Sequence, residues 1–232
     1  MKKIGFVGAY DKTDLLIYVA KILELSGKKV CIIDTSNNQK SKYIIPVLSP
    51  SKSYIVNYKG IDVAIGLNSF EEINRYLDLP ETAVPQYDYA LIDIDKPEMM
   101  KSFNMAVNDK CFFVTSMDKF SLVRGLEALS GLTDTSNLTK VFFTRGMPKE
   151  EDDYLNFLSF GQKVIWNENR IYFPFDVQDQ LTIMENQRFS EITIRNLSSQ
   201  YKDSIIAIID EFGDEELRKE SRRVIKQLEK GI

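Results

Sequence analysis

The sequence predicts an α/β fold, a doubly wound and mainly parallel sheet with helices on both faces. Short apolar segments rich in Val, Ile and Phe alternate with amphipathic helical patterns along nearly the whole chain. Strands that are apolar on both sides need helices on both sides, which is the arrangement of a buried parallel sheet. At 232 residues and 44% hydrophobic residues, the chain is long enough to bury a full core.

The first 36 residues carry the clearest pattern. Lys3–Gly8 is an apolar strand pattern that ends in glycine, and the next fifteen residues place their leucines, isoleucine and valine on one broad helical face. Lys29–Asp34 is a second short apolar strand, and it ends in a carboxylate. The order strand, loop, helix, strand is that of a parallel βαβ unit.

The later elements follow in order. The segment Thr35–Ser53 is polar and irregular, Lys59-Gly60 then joins two short strands in a hairpin, and Ser69 caps a helix that ends at Leu77. Further strands are expected at Tyr89–Asp93, Cys111–Thr115, Val141–Thr144, Val164–Trp166 and Ile171–Phe173, where Pro174 ends the last. Further helices are expected at Leu122–Leu132, Glu150–Leu158, Ile192–Leu197, Ser204–Phe212 and Glu215–Lys230. We assign residues 1–212 to one α/β domain and residues 213–232 to a C-terminal amphipathic helix.

Composition excludes several kinds of chemistry. The chain has no histidine, which removes Ser-His-Asp and Cys-His catalysis and histidine metal sites. Cys31 and Cys111 lie inside predicted strands without metal-ligand spacing, so we expect two reduced core thiols. No long apolar run and no secretory signal is present, which predicts a cytoplasmic protein. A net charge of −4 makes nucleic acid an unlikely partner.

Polar residues end several predicted strands. In a doubly wound sheet, the carboxyl ends of the strands meet at one edge and form the ligand crevice. Gly8, Asp34, Asp93, Ser116 and Thr144 all occupy such ends. We therefore expect these residues to lie near one another at the candidate site.

Residues 8–13 (GAYDKT) lie where a phosphate-binding loop would connect the first strand to the first helix. Such a loop reads G-x-x-x-x-G-K-[ST], because glycines let the backbone wrap phosphates while lysine and the hydroxyl contact phosphate and Mg²⁺. Lys12 and Thr13 match the last two positions. Phe6 and Asp11 stand at the two glycine positions.

With these strand ends placed, the chain resembles the ParA/MinD family of deviant phosphate-loop ATPases over nearly its whole length. The family loop K-G-G-x-G-K-T-[ST] aligns with residues 7–14 (VGAYDKTD), and its acidic second-strand motif aligns with residues 33–36 (IDTS). Its later motifs align with residues 88–95 (DYALIDID), 113–124 (FVTSMDKFSLVR), 143–146 (FTRG) and 173–176 (FPFD).

The chain departs from this family at four functional positions. Val7 replaces the lysine that reaches a partner's nucleotide, and Asp11 replaces the glycine before Lys12. Ser36 replaces the acidic residue that orients water, and Thr144 replaces the asparagine that contacts adenine. The residues that the resemblance implies for a nucleotide site are Gly8, Asp11, Lys12, Thr13, Asp34, Asp93, Thr144 and Pro174, with Thr13 and Asp93 serving Mg²⁺ if nucleotide binds.

Two interpretations follow from these departures. In the first, the protein keeps the fold, has no catalytic residue and binds ATP and Mg²⁺ weakly or not at all, and Lys12 pairs with a carboxylate in the space of a phosphate. It would then organise or assemble a pilus, secretion, conjugation or partition machine. In the second, it is a weak Mg-ATP-dependent switch with nucleotide-gated dimerisation. Asp95, two residues after Asp93, is expected to cap the following helix rather than to bind metal.

The resemblance also implies protein partners. A homodimer would use the face built from Gly8–Lys12, Ser36–Asn38 and Lys96–Met100, and we expect it to form without nucleotide because Val7 supplies no charge. The amphipathic segment 215–230 offers a peripheral membrane contact, as in MinD-like proteins. It lacks Phe and Trp and carries Glu220 and Glu229, which favours packing on the domain or on a partner instead.

Overall fold

The computed structural model describes residues 1–47, 51–83, 85–105, 107–144 and 151–230, without the side chains of residues 151 and 152. The strands are β1 Lys2–Val7, β2 Val30–Asp34, β3 Tyr54–Tyr58, β4 Ile61–Ile65, β5 Tyr89–Ile94, β6 Lys110–Ser116, β7 Ser136–Thr144 and β8 Val164–Pro174. The helices are α1 Thr13–Leu25, α2 Ser41–Ile44, α3 Phe70–Tyr76, α4 Pro97–Ser102, α5 Lys119–Leu129, α6 Glu151–Leu158, α7 Val177–Phe189, α8 Ser199–Asp210 and α9 Glu215–Lys230.

All eight of these strands form one sheet, in the order β3-β4-β2-β5-β1-β6-β7-β8. Every neighbouring pair is parallel except β3 and β4, which form the predicted antiparallel hairpin. The buried strands carry apolar side chains on both faces. Tyr89 and Leu91 of β5 contact the layer of α1, α8 and α9, whereas Ala90 and Ile92 contact the layer of α3 to α6. The predicted fold class is confirmed.

Some predicted elements need correction, and the helix α7 lies where no element was predicted. Val164–Trp166 and Ile171–Phe173 belong to one continuous strand, β8, whose pairing with β7 shifts between Leu138 and Lys140. Ile192–Leu197 is not a helix; Ile194 and Leu197 reach the core from an irregular segment. The helix α7 was not predicted, because the residues that it buries are polar: Asp179, Thr182 and Asn186.

The C-terminal helix α9 buries its apolar stripe in this protein. Leu217, Val224 and Ile225 lie in the same core as α1 and α8. On the outer side, several basic residues of α9 pair with nearby carboxylates: Lys219 with Glu215, Arg222 with Asp210, and Arg223 with Glu220. Within the described ranges, none of the helices combines the length and apolarity that crossing a bilayer requires.

Candidate functional site

The strand ends beside the loop meet as the sequence predicts. Because β2, β5 and β1 are adjacent, Asp34 and Asp93 are register partners, and Gly8 follows the strand that pairs with Asp93. A cavity of about 230 Å³ opens at this edge of the sheet. It is lined by residues of the loop, of the segment before α2 and of the end of β5: Ala9, Tyr10, Asp11, Lys12, Thr13, Ser36, Asn38, Lys40, Tyr43, Asp93 and Asp95.

The remaining predicted site residues occupy other places. Gly8 shapes the backbone where the loop leaves β1, and Asp34 is buried at the end of β2 and is not among the residues that line the cavity. Thr144 and Pro174 are register partners on β7 and β8, and neither is among the residues that line the cavity. Arg145 and Gly146, which belong to the aligned motif on β7, lie outside the described residues.

Gly8 permits a close approach between the loop and β6. Its φ of +146° is a conformation that L side chains rarely adopt, and a Cβ there would lie 2.1 Å from the carbonyl oxygen of Val114. The Gly8 N–H donates to the carbonyl of Ile94, at 2.9 Å. The loop is therefore fixed to both neighbouring strands at its first residue.

Lys12 is turned inward. Its side chain is 2% exposed, and its Nζ lies 2.9 Å from Oδ1 of Asp93. The same ammonium donates to the carbonyls of Gly8 at 2.6 Å and Tyr10 at 3.0 Å. The ammonium thus donates to two carbonyls and forms an ion pair with Asp93, whose Oδ1 accepts no hydrogen bond from the described residues. The predicted pair between Lys12 and a carboxylate is confirmed, and the carboxylate is that of Asp93.

The Asp93 carboxyl is almost fully buried. Burial raises its pKa to about 7; the nearby Lys12 acts in the opposite direction, and the Asp34 carboxylate adds to the rise. The folded protein therefore holds a proton on Asp93 at a pH where the unfolded chain has lost it.

This proton makes stability depend on pH. Between about pH 4 and pH 7 the folded state binds more protons than the unfolded state, so the free energy of unfolding should fall as the pH rises and level off above about pH 7. Urea unfolding of the wild type and Asp93→Asn across this range measures the effect as their difference. Asp203→Asn, at an exposed position, is the control. A difference that is flat or that grows with pH would contradict the assignment.

Asp11 is held by Lys40, which stands just before α2. The Asp11 carboxylate accepts from Lys40 Nζ and, at 3.0 Å, from the backbone N–H of Thr13. Lys40 Nζ also lies 3.1 Å from Asp14. Burial acts to raise the pKa of Asp11, but the hydrogen bond and charge of Lys40 outweigh it, and the pKa lies below its usual value. The Asp11 carboxylate thus accepts the N–H of Thr13 at the start of α1, where a bound anion would otherwise accept it.

Tyr10 divides the space beside the loop. Its ring stacks on Phe143 of β7, with centroids 4.7 Å apart. Tyr10, Asp11 and Lys40 line both the first cavity and a second one of about 240 Å³, which extends toward α7. Each cavity is smaller than the ~300 Å³ at which pockets for small ligands begin.

The other carboxylates hold the backbone around the cavity. Asp34 accepts from the N–H and hydroxyl of Ser36, at 3.1 and 2.6 Å, and from the N–H of Ser41. Asp95 accepts from the N–H of Asn37 at 2.8 Å, and α4 has no side-chain cap, so the expected capping role of Asp95 is wrong. Across the described ranges, no three Cys, Asp or Glu side chains are grouped to hold a metal ion.

A Mg-nucleotide does not fit this site as it stands. Lys12 is occupied by Asp93, the carboxylate of Asp11 faces the place of a phosphate, and the cavity is small. The sequence did not indicate that Lys40 and Tyr10 belong to the site. Both residues line both cavities. Lys40 lies in a segment without periodic pattern, and Tyr10 occupies a variable position of the loop motif.

Comparison with known proteins places the fold. No protein-family model matches the chain, and no curated protein matches its sequence. Among solved structures, the MinC:MinD cell division protein complex of Aquifex aeolicus matches with a TM-score of 0.50 and 14% identity, over 97% of this chain and 96% of that one. A structure of pNOB8 ParA and one of pNOB8 ParA bound to nonspecific DNA match with a TM-score of 0.45 and 16% and 17% identity, over 97% of this chain and 99% of each. The protein has the ParA/MinD-like P-loop fold.

Proposed function

We propose that this protein is a non-hydrolysing ParA/MinD-like scaffold that positions or assembles a larger cellular machine, such as a pilus, secretion, conjugation or partition system. The observation that carries the proposal is that the loop of residues 8–13 is closed, which means that its charged side chains are already paired within the protein. Lys12 pairs internally with Asp93, and Lys40 binds Asp11 at the lining of the cavity. Both lysines are therefore engaged by side chains of the protein itself rather than by phosphates.

Two further positions support the loss of hydrolysis. The side chain of Val7 is fully buried in the core and supplies no charge to a partner's nucleotide. The hydroxyl of Ser36 donates to Asp34 and brings no carboxylate that could orient an attacking water. Each position removes a different contribution to phosphoryl transfer, so restoring one of them alone is not expected to restore turnover.

A protein partner is the kind of partner that this fold supports best. One solved structure with a similar fold is a complex between two proteins, MinC and MinD. This chain also exposes large apolar side chains on several helices, including Phe120 of α5, Phe157 of α6 and Met184 of α7. Such side chains are typical of contact surfaces when they are grouped.

A weak Mg-ATP-dependent switch is the second candidate. Lys12, Thr13 and Asp93 all line one cavity. If Lys40 left Asp11, an ammonium, a hydroxyl and a carboxylate would face the same space, which is the donor set of a phosphate and Mg²⁺ site. This candidate predicts binding and turnover that depend on Lys12.

Phosphate release separates the two candidates. With Mg²⁺ and ATP, we expect the wild type and Lys12→Ala to release phosphate at the same background rate, because the loop is closed and Ser36 and Val7 supply no catalytic charge. A coupled assay of inorganic phosphate measures it, with heat-denatured protein as the blank. Steady turnover in the wild type that Lys12→Ala abolishes would overturn the scaffold proposal in favour of the switch.

A further inference from the structure

The helix α7 has its polar and apolar faces reversed relative to a surface helix of a globular protein. Its buried side chains are Asp179, Thr182 and Asn186. Asp179 accepts from the N–H and hydroxyl of Ser198 at 2.6 and 2.8 Å, and Asn186 donates to the hydroxyl of Tyr18 at 2.8 Å. Hydrogen bonds therefore hold much of the inner face of α7 on the domain, and Ile183 is its apolar contact with the core.

The outward face of α7 carries an apolar stripe between exposed polar residues. Val177 is 75% exposed, Met184 is 63% exposed, and Leu181 between them is about half exposed. The spacing i, i+4, i+7, i+11 puts Val177, Leu181, Met184 and Arg188 in one line along the helix. The apolar stripe, from Val177 to Met184, is about 10 Å long, at 1.5 Å per residue, and Arg188 follows it one turn later. A continuous apolar stripe opposite a largely hydrogen-bonded face indicates a contact surface.

We infer that this stripe is the interface of a homodimer, in which α7 packs antiparallel against α7 of a second copy. In such a pair the two-fold axis passes between positions 182 and 183, so Leu181 of each copy contacts Met184 of the other. The interface is then isologous, with the same patch used by both copies. At the centre of the interface, the Met184 thioether of each copy contacts Leu181 of the other, and both contacts are shielded from water.

The charges along α7 favour a second copy of this chain as the occupant. Asp176 stands at the start of the helix and Arg188 at its end. Antiparallel packing places the Arg188 guanidinium of each copy beside the Asp176 carboxylate of the other, and Arg188 forms no ion pair with the described residues of its own chain. Glu185 then faces the neutral Gln180, so no like charges oppose each other. A parallel pair would instead place Arg188 against Arg188.

This face differs from the loop face that the sequence predicts for a dimer. It involves neither Lys12 nor the first cavity, although Met184 borders the second cavity, and its formation does not require nucleotide. The inference goes beyond the proposed function, because the dimer can form whether or not the protein hydrolyses ATP. One helix stripe is smaller than the ~800 Å² per partner of a standard interface, so we expect a reversible equilibrium between monomer and dimer.

Sedimentation equilibrium over a range of protein concentrations, with and without Mg-ATP, tests the dimer. The wild type should dimerise equally in both conditions, and Met184→Lys should weaken association at least tenfold, because it places a charge at the centre of the apolar contact. Phe157→Lys, at a 76% exposed position on α6, is the matched control and should leave association unchanged. A wild type that stays monomeric, or a Met184→Lys variant that associates as strongly as the wild type, would refute the α7 dimer.

Thiol cross-linking tests the orientation. Both native cysteines are buried, so one introduced cysteine is the accessible thiol among the described residues. A short bismaleimide should link Met184→Cys to its copy but not Val177→Cys, since antiparallel packing separates the two Val177 positions by about 16 Å along the helix. Asn38→Cys reports on the loop face. Cross-linking of Asn38→Cys in place of Met184→Cys, or equal cross-linking at positions 177 and 184, would contradict the proposed interface.

Discussion

Asp11→Gly is expected to raise the affinity for Mg-ATP at least tenfold. The substitution removes a carboxylate from the place of a phosphate, frees the N–H of Thr13 and releases one contact of Lys40. One relieved charge contact near a protein surface corresponds to about 1–4 kcal/mol, and 1.4 kcal/mol is a factor of ten in affinity. Equilibrium titration with a fluorescent ATP analogue, followed by competition with ATP, measures the change.

Asp14→Asn is the matched control for this gain. It removes the second carboxylate of Lys40 but leaves the Asp11 side chain and its bond to Thr13 in place. Its effect on ATP affinity should be much smaller than that of Asp11→Gly. Circular dichroism of both variants establishes that they are folded, because Asp11→Gly also removes a contact at the start of α1. An affinity that Asp11→Gly leaves unchanged or weakens would mean that Asp11 is part of a working loop.

Gly8→Ala is expected to lower the free energy of unfolding by about 4 kcal/mol or more, at the upper end of single substitutions. The new Cβ would meet the carbonyl oxygen of Val114 at 2.1 Å, and the backbone of β6 cannot move aside because it pairs with strands on both sides. The φ of +146° adds strain of its own. Urea unfolding measures the loss, or insoluble expression reports it where the variant does not fold.

Gly27→Ala is the control for the backbone strain alone. Gly27 has a φ of +78°, and a Cβ there would meet nothing within 4 Å. It should cost roughly 1 kcal/mol, the ordinary cost of a side chain in the left-handed region. Equal costs for the two alanines would show that the approach of the loop to β6 is not the constraint on Gly8.

The sheet was readable from the sequence because its strands are apolar on both faces. The runs in β1, β2, β5 and β6 are continuous, and each is followed by a polar residue or glycine at the edge where ligands bind. This pattern can be recognised without any knowledge of the tertiary structure. It placed Asp34, Asp93 and Gly8 near one another.

The helix α7 could not be found by the same reasoning. Apolar periodicity identifies a helix only if its apolar face is the buried one, and α7 buries Asp179, Thr182 and Asn186 instead. At Ile192–Leu197 the error is the opposite one, because a helix was predicted where the structure has none. The apolar residues of this segment suggested a helix, but Asn186 holds Thr193 by two hydrogen bonds, and Ile194 and Leu197 enter the core from an irregular segment.

The closure of the site also depends on tertiary contacts. Residues 12 and 93 are both in recognisable motifs, so their pairing was predictable from the loop and the strand end. Lys40 reaches Asp11 and Asp14 only because the polar segment after β2 folds back over the loop, with Asp34 holding its turn. No local pattern in residues 35–53 signals that path, and the resemblance supplies no lysine there.

Calorimetric titration of the wild-type protein with ATP and Mg²⁺ decides whether the loop is closed in solution. With Lys12 held by Asp93 and Asp11 held by Lys40, we expect no saturable binding at micromolar nucleotide, and the same trace from Lys12→Ala. Saturable binding at micromolar ATP in the wild type, lost in Lys12→Ala, would contradict a self-occupied site and would make the protein a nucleotide-dependent switch.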